Sequence, residues 1–442
     1  MSVGVQRLRE ETERIRQGAI DKGEDPAVID EALAADLRRR TVLGEGDTLR
    51  AERNAVSKQI GDAIRGGAAP DGVEIAKLRA RSSAVGTRIA ALEAEAAEVE
   101  ARLDDLLLRI PNPADPGIPV GGEEASVIVR TWGEALPRAT AHAGALDGSG
   151  RWQRRPHWEI GEALGMFDLA AGAKVAGSGF PIYRGQGAAL QRALIDFFLA
   201  LHTREHGMTE IWPPAMVNEA SARGTGQIPD KEDQMYVVAR DGLYLVPTAE
   251  VPVTNIHRDE IIESARLPIR YVAYSPCFRR EAGAAGRETR GILRVHQFDK
   301  VEMVCFERPD ESSEALEWLT ARAEVALQRL GIAYRVKLMS TGDMGFTQAK
   351  KYDLEAWAPG VEQWLEVSSI SNFRDFQARR MNIRWRPQPG ASPEILHTLN
   401  GSGLALPRTV AALLETYQQP DGSVLVPEPL QGSLGTERLT PV

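Results

Sequence analysis

The apolar residues in the first quarter of the chain recur with the spacing of a long helix. From Ile75 to Ile110 they follow one another in alternating steps of three and four residues, which is a heptad repeat. At 1.5 Å per residue this segment predicts a helix roughly 54 Å long. Turn residues at 70–72 and Pro111 bound it on its two sides. A single helix of this length needs a partner along its apolar seam.

The residues before Gly66 and Gly67 can form that partner. Their apolar positions are also helically spaced, at Leu49, Val56, Ile60 and Ile64. We therefore predict that the two helices fold back on each other as an antiparallel coiled-coil hairpin. Gly44 and Gly46 are expected to weaken the base of its first helix.

The pattern changes after the prolines of residues 111–120, which predict a linker. An apolar helix at 190–201 is closed by Gly207. Strand-like runs lie at 235–239, 243–246, 269–274, 300–306, 333–339, 352–357 and 362–368, with further helices at 311–330 and 404–417. Hairpins with few intervening helices predict a mostly antiparallel sheet. The predicted fold class is α+β, with a helical domain at 1–110 and a sheet domain flanked by helices at 121–442.

Composition and charge narrow the functional classes. Of 442 residues, 43% are hydrophobic and 26% charged, which is typical of a globular protein. The two cysteines, Cys277 and Cys305, lie far apart, so we expect no disulfide framework, no cysteine zinc site and a reducing cytoplasm. No apolar run reaches 18 residues, and the N-terminus has no apolar signal segment, so neither secretion nor membrane spanning is expected. The net charge of -9 offers nucleic acid no global attraction.

A local basic patch is nevertheless available near the tip of the predicted hairpin. Its members are Arg50, Arg53, Lys58, Arg65, Lys77, Arg79, Arg81 and Arg88. On helices such side chains can present positive charge to a phosphate backbone. Acidic residues are interspersed among them, so a solvated charged face is the alternative interpretation.

The densest polar segment runs from Phe278 to Glu302 and contains five arginines between positions 279 and 294. Two strands joined by a loop of small residues would bring an arginine, for a phosphate, close to an aromatic ring, for a base. A salt-bridged surface hairpin is the alternative. Hydroxyl and carboxylate residues at 248–250, 366–369 and 400–408 could complete such a site or be ordinary caps and turns. Because no GxxxxGK[ST] loop or strand-borne GxGxxG is present, nucleotide binding would need another scaffold.

Taken together, these segments resemble the seryl-tRNA synthetases, a family of class II aminoacyl-tRNA synthetases. The class II signatures occur in order: the segment ending at Pro213-Pro214, FRREAGAAGRETRGILRVHQFDKVE at 278–302, and HTLNGSGLALPRT at 397–409. Further similar segments are TAEVPVTN at 248–255, TGDMGF at 341–346, YDLEAW at 352–357, DFQARR at 375–380 and YQQPDGSVLVPEPL at 417–430. The resemblance implies a class II catalytic domain over 121–442 and a tRNA-binding arm over 1–110.

The same resemblance implies an activity and its partners. Serine would be activated with ATP to seryl-adenylate and transferred to the 3′ end of tRNA(Ser), and of tRNA(Sec) where that tRNA is present. The protein would be a cytoplasmic homodimer that uses Mg²⁺ and no zinc. Two other hypotheses remain open. One is a paralogue that loads serine or a related amino acid onto a carrier protein or into a biosynthetic pathway, and the other is an inactive, synthetase-like RNA-binding or regulatory protein.

The resemblance also implies roles for individual residues. The catalytic set would be Arg279, which holds the α-phosphate, Glu281, which meets the amino edge of adenine, and Arg408, which sandwiches the ring with Phe298. The implied ATP-binding residues are Arg279, Arg280, Glu281, Val295, Phe298, Glu366, Val367, Ser368, Ser369 and Arg408. Those implied for serine are Thr248, Ala249, Glu250, Arg279, Glu302, Thr398 and Ser402. Glu366 and Ser369 would hold Mg²⁺, whereas His296 and His397 are interpreted as structural.

Some positions depart from the commonest pattern of the family. Ile370 and Ser340 stand where cysteine is frequent, and Pro407 replaces a glycine. Of these, Pro407 is expected to alter the backbone before Arg408. The tail at 431–442 has no strong periodicity, and no function is predicted for it.

Overall fold

The computed structural model describes residues 3–141, 151–282 and 290–441. They form two compact units, Met1–Pro111 and Asn112–Val442. The first unit consists of the helices α1 Val5–Glu10, α2 Thr12–Asp21, α3 Ala27–Arg65 and α4 Val73–Leu108. Helices α3 and α4 make the predicted antiparallel hairpin, because Glu31 pairs with Arg102 and, farther along α3, Glu52 pairs with Arg81.

Helices α3 and α4 can be long because each buries apolar residues against the other along a shared seam. Ile75, Val85, Ile89 and Leu92 of α4 are buried, as the heptad pattern predicts. Helix α3 begins at Ala27 and continues through Gly44 and Gly46 without a break. The loss of helix propensity at two glycines is thus outweighed by packing along the seam.

The second unit is built on an eight-stranded sheet. Its strands are β1 Val127–Trp132, β2 Thr209–Ile211, β3 Ile269–Phe278, β4 Gln297–Glu307, β5 Tyr334–Leu338, β6 Lys350–Ala358, β7 Gln363–Arg374 and β8 His397–Ala405. Their order across the sheet is β1-β5-β6-β7-β8-β4-β3-β2. Every neighbouring pair is antiparallel except β2 and β3. The prediction of a mostly antiparallel sheet is therefore confirmed.

Both faces of the central strands are covered. Along β4, Val301, Met303 and Cys305 belong to one apolar core, whereas Val304 and Phe306 belong to another. This alternation follows from the two-residue period of a strand. The helices of this unit are α5 His157–Ala163, α6 Leu169–Ala176, α7 Gly185–Ala200, α8 Glu219–Thr225, α9 Glu250–Thr254, α10 Ser312–Arg329, α11 Thr341–Met344, α12 Phe376–Arg380, α13 Leu406–Tyr417 and α14 Glu428–Leu434. The first core includes residues of α7, α10 and α13, and the second includes residues of α9 and α12.

Short elements complete the second unit. Small sheets join Ala139–Ala141 with Arg151–Gln153, Phe167–Asp168 with Ile182–Tyr183, Met216–Asn218 and Val237–Val238 with Leu243–Leu245, Ile261–Glu263 and Glu394–Ile395 with Arg384–Arg386, and Val424–Leu425 with Arg438–Leu439. The last strand and α14 give structure to part of the tail for which the sequence predicted none. No helix in the described ranges is both long and apolar enough to cross a membrane.

The proline-rich segment belongs to the second unit from Asn112 onward. The Asn112 side-chain amide donates hydrogen bonds of 2.9 Å to the carbonyls of Thr347 and Phe373. Asp115 accepts three hydrogen bonds from the Arg374 guanidinium, the shortest one 2.6 Å long. Residues that were predicted to form a linker therefore make specific contacts with this unit, beginning at Asn112.

Candidate active site

A cavity of about 450 Å³ opens where β3, β4, β7 and β8 approach the start of α13. Its wall is polar, and two parts of the wall carry different charged groups. One part of the wall holds Arg279, Lys351 and Arg408 around the carboxylate of Glu366. Another part holds the carboxylates of Glu250 and Glu302, with Lys300 and Lys231 beside them. We call these two parts of the wall the cationic region and the carboxylate region. A ligand with both an anionic and a cationic part is the natural match for such a surface.

The cationic region is held in place by hydrogen bonds and ring contacts. The Arg279 guanidinium carbon lies 5.1 Å from the centroid of the Phe298 ring. Arg408 donates from Nη1 to the Glu366 carbonyl over 3.0 Å and from Nε to the Leu293 carbonyl over 3.2 Å. The guanidinium groups of Arg279 and Arg408 thus line the cavity, together with the Phe298 ring that was predicted to lie near them.

These cations lower the pKa of the Glu366 carboxyl. Its side chain is 46% exposed, since it projects into the open cavity. Removal from bulk water would raise its pKa, but Arg408, Lys351 and Arg279 outweigh that effect and lower the pKa to about 2. The neighbouring Asp353 is buried, and desolvation together with the charge of Glu366 raises its pKa.

Oxygen donors near Glu366 fit a hard divalent cation. Ser369 also lines the cavity and is the strand partner of the buried Asp353. Within the described ranges, no group of three or more His, Cys, Asp or Glu side chains is arranged to hold a metal by itself. Magnesium commonly takes only one or two protein carboxylates and completes its shell with water and substrate phosphates. The residues present are consistent with that kind of site.

The carboxylate region lies deeper in the protein. Glu250, at the start of α9, is buried and accepts a hydrogen bond of 2.6 Å from the Gln377 side-chain amide. Desolvation and the nearby Glu302 raise the pKa of Glu250 to about 6. Glu302 is buried beside Lys300, with which it forms an ion pair, because residues two apart on a strand share a face.

Most residues implied by the resemblance line this one cavity: Thr248, Glu250, Arg279, Glu281, Val295, Phe298, Glu302, Glu366, Val367, Ser368, Ser369, Ser402 and Arg408. Arg280 does not, because its guanidinium turns away to donate to the Asp233 carbonyl. Ala249 is buried without lining the cavity. Thr398 is also buried, and its hydroxyl donates to Gln377. Residues 283–289, which include part of the arginine-rich segment, lie outside the described ranges.

Sequence reasoning missed several residues of the cavity wall. They are Lys231, Arg294, Lys300, Asp343, Gln348, Lys351, Ser371 and Asn400, together with the adjacent Asp353 and Gln377. The available signal was the concentration of charged residues in strand β6, KKYDLEAWA, which includes Lys351 and Asp353.

The three departures from the commonest pattern are accommodated locally. Ile370 is fully buried in the main core. The Ser340 hydroxyl donates to the Gly122 carbonyl over 2.6 Å. Pro407 lies in the first turn of α13, where its missing N–H has no helical partner to lose, and Arg408 still reaches the cavity.

Comparisons with known proteins agree with this architecture. Residues 4–114 match the family model of the seryl-tRNA synthetase N-terminal domain, and residues 236–417 match that of the class II tRNA synthetase core domain for G, H, P, S and T. A serine–tRNA ligase from Thermomicrobium roseum is 50% identical over 98% of this chain and 93% of its own. The chain belongs to the seryl-tRNA synthetase family. It is accordingly a ligase of the class II aminoacyl-tRNA synthetases.

Solved structures of other seryl-tRNA synthetases have the same fold. The enzyme of Pyrococcus horikoshii, complexed with ATP, has a TM-score of 0.91 and 39% identity, covering 99% of both chains. The cytoplasmic serine–tRNA ligase of Naegleria fowleri, in complex with AMP, has a TM-score of 0.85 and 27% identity, covering 97% of this chain and 96% of its own. Both the helical hairpin and the sheet domain are thus features of the family.

Proposed function

We propose that this chain activates L-serine with ATP to seryl-adenylate and then transfers serine to the 3′ end of tRNA(Ser), and of tRNA(Sec) where that tRNA is present. The observation that carries the proposal is that one cavity wall gathers Arg279, Lys351 and Arg408 around Glu366 and also holds the adjacent carboxylates of Glu250 and Glu302. The cationic region suits a triphosphate. The carboxylate region suits the ammonium group of an amino acid.

In the first step the serine carboxylate oxygen forms a bond to the α-phosphorus of ATP, and the bond from that phosphorus to pyrophosphate breaks. Arg279 holds the α-phosphate and stabilises the charge that builds on its oxygens. Phe298 and Arg408 fix the adenine ring between them, with Val295 and Glu281 along its edge. Because serine already carries a carboxylate, orientation rather than a strong base is the main requirement.

Serine is recognised through its two polar ends. Glu250 and Glu302 meet its ammonium group, and Thr248 and Ser402 surround its side chain. A site built around one hydroxyl penalises alanine, because the buried polar partners of that hydroxyl would be left unpaired. In the second step the terminal ribose hydroxyl of the tRNA attacks the acyl carbon, and AMP leaves.

Glu366 and Ser369 would hold Mg²⁺ against the triphosphate. When bound, the ion neutralises phosphate charge and favours departure of pyrophosphate. Its carboxylate ligand is ionised throughout the physiological range, because the surrounding cations lower the pKa of Glu366 to about 2.

The hairpin is proposed to grip tRNA through phosphate contacts. Of its eight candidate cations, four form ion pairs within the hairpin: Arg50 with Asp47 and Glu93, Arg65 with Asp62, Arg81 with Glu52, and Arg88 with Glu45. The other four are exposed and have no ion pair among the described residues: Arg53, Lys58, Lys77 and Arg79. An unpaired cation can bind a phosphate, and displace the counterions condensed on the nucleic acid, without first breaking an ion pair within the protein. We therefore assign the main contacts to the second set.

We further propose that two copies of the chain associate in the cytoplasm. Trp212 follows β2, is 79% exposed, and makes an edge contact with Tyr274 beside a groove along α7. An aromatic residue this exposed favours burial in an interface. Light scattering at micromolar concentration is expected to give twice the chain mass, and a value near 48.3 kDa would contradict the dimer.

One pair of assays tests the function directly. Purified protein should exchange pyrophosphate into ATP in the presence of serine, with much lower rates for alanine, threonine and cysteine, and should charge total tRNA with serine. Removing residues 48–104 should leave the exchange intact and abolish most charging, since the activating site lies in the other unit. Exchange without any charging by the full chain would favour the carrier-protein hypothesis. Absence of exchange would contradict the proposal.

A further inference from the structure

A buried carboxylate on α13 accepts four hydrogen bonds, all of them from donors of the protein itself. Glu415 has no exposed surface. Its Oε1 accepts hydrogen bonds of 2.9 Å from the backbone N–H and from Nδ1 of His157. Its Oε2 accepts from the backbone N–H groups of Gly360, over 2.7 Å, and of Val361, over 3.1 Å. Four donors allow this charge to remain in the interior, and they fix the orientation of the His157 ring.

The opposite edge of that ring meets the segment that leads back into the cavity wall. His157 Nε2 lies 3.4 Å from the backbone nitrogen of Ile292. Since an amide N–H can only donate, Nε2 accepts this bond and the ring proton resides on Nδ1. Gly291 has φ +71°, and a Cβ at that position would lie 2.3 Å from Nε2. The ring is thus seated directly against the Gly291–Ile292 backbone.

Helix α13 therefore holds this segment at two points. Arg408 donates directly to the Leu293 carbonyl. Seven residues later, and so two turns along the same face, Glu415 acts through His157 on Ile292. The next residues, Leu293, Arg294 and Val295, line the cavity, whereas His157 and Glu415 do not.

We propose that His157 is a positioning residue for the nucleotide. Held by Glu415, it fixes the backbone at Ile292 and thereby the place of Arg294 and Val295 in the cavity wall. This inference rests on the proposed binding of ATP there. It concerns ATP rather than serine, because Glu250 and Glu302, the proposed serine contacts, lie on other segments.

The test is a separation of Michaelis constants in serine-dependent ATP–pyrophosphate exchange. In His157→Asn, the shorter side chain can still donate to Glu415 but cannot reach Ile292. The KM for ATP is expected to rise about tenfold, while the KM for serine and kcat stay within about twofold. In His157→Gln, an amide oxygen returns near the former Nε2 position, so most of the affinity for ATP should be recovered.

Tyr417→Phe is the control, since it removes one partly buried hydrogen bond of the same helix, to the Leu330 carbonyl. It is expected to lower the melting temperature without changing either KM. If His157→Asn does not fold, Glu415→Gln decides, with the same expected rise in the KM for ATP. Equal changes in both KM values, or none, in a folded variant would overturn the positioning role. Loss of exchange in the unaltered chain would overturn the proposed function itself.

Discussion

Thr398 and Gln377 are joined by a hydrogen bond of 2.8 Å behind the wall of the cavity, with the Thr398 hydroxyl donating to the amide oxygen. This bond orients the Gln377 amide together with a 3.2 Å bond from its nitrogen to the Thr225 carbonyl. The same nitrogen donates to Glu250 over 2.6 Å. Thr398, which the family resemblance groups with the serine pocket, thus acts on Glu250 through an intermediate side chain.

Replacing Thr398 by valine should consequently weaken serine binding. Loss of one hydrogen bond of ordinary strength corresponds to roughly a two- to tenfold rise in the KM for serine, with the KM for ATP unchanged. Pyrophosphate exchange measures both values. Thr320→Val is a suitable control, because Thr320 is buried but donates only within its own helix, to Leu316. Equal KM values for serine in the two variants would show that Thr398 does not act through Gln377.

The raised pKa of Glu250 predicts a pH dependence of serine binding. Burial shifts this pKa upward to about 6, so the carboxylate is ionised above that pH and gains a proton below it. Serine keeps its ammonium charge throughout, so its KM should be flat above pH 7 and rise about tenfold between pH 7 and pH 5. The profile is measured at saturating ATP.

Glu250→Gln provides the control for that profile. This variant should have a high KM for serine at every pH, without the rise at low pH, because an amide does not titrate in this range. The same slope in the variant and in the unaltered chain would assign the pH dependence to a group other than Glu250.

The sequence predicted the fold well where burial imposes a period on the chain. The heptads of α4 and the strand runs that became β3, β4, β6 and β7 are such cases. Strand β8 was not predicted, because HTLNGSGLA contains small and polar residues that carry no strand pattern. It becomes a strand only because β4 and β7 flank it. No start was predicted for α3, whose first half packs on α1, α2 and α4.

The family motifs identified the segments that form the site, but not which of their side chains reach the cavity. Thr398, Asn400 and Ser402 share one face of β8 because side chains alternate along a strand. Asn400 and Ser402 line the cavity, whereas Gln377 covers Thr398. Arg279 and Arg280 are adjacent and turn to different surroundings. These distinctions depend on which distant side chains fill the space, and a local motif does not encode that.

Arg279 and Arg280 can be separated experimentally. Arg279→Ala should abolish adenylate formation, since a charged contact to the α-phosphate strengthens as the transition state forms. Arg280→Ala should retain most of the activity, because its guanidinium binds the Asp233 carbonyl outside the cavity. Pyrophosphate exchange and circular dichroism compare activity and fold. Near-normal exchange in Arg279→Ala, or equal losses in both variants, would contradict the assignment.

Glu366→Gln should raise the requirement for magnesium. The neutral amide keeps the shape of the side chain but removes the negative charge of the Glu366 carboxylate, whose pKa the surrounding cations lower. The Mg²⁺ concentration for half-maximal exchange should rise about tenfold or more at fixed ATP. Glu362→Gln, on the exposed turn before β7, is the control and should leave the magnesium titration unchanged. Identical titrations for the two variants would remove Glu366 from the proposed metal site.

The last prediction concerns the hairpin, where four of the candidate cations form ion pairs with neighbouring carboxylates and four do not. Converting the unpaired set, Arg53, Lys58, Lys77 and Arg79, to glutamine should weaken tRNA binding severely at physiological salt. Each phosphate contact contributes up to roughly 0.9 to the slope of log affinity against log salt, so the slope should fall by about three. Serine activation should be unaffected, because the catalytic cavity lies in the other unit.

Converting the paired set, Arg50, Arg65, Arg81 and Arg88, to glutamine removes the same formal charge and serves as the control. These side chains must first leave Glu93, Asp62, Glu52 and Glu45 to meet a phosphate, which cancels much of their contribution. Their variant should therefore keep most of the salt dependence. If both variants lost affinity equally, total hairpin charge would govern binding. If neither did, the hairpin would be a solvated coiled coil without a direct role in gripping tRNA.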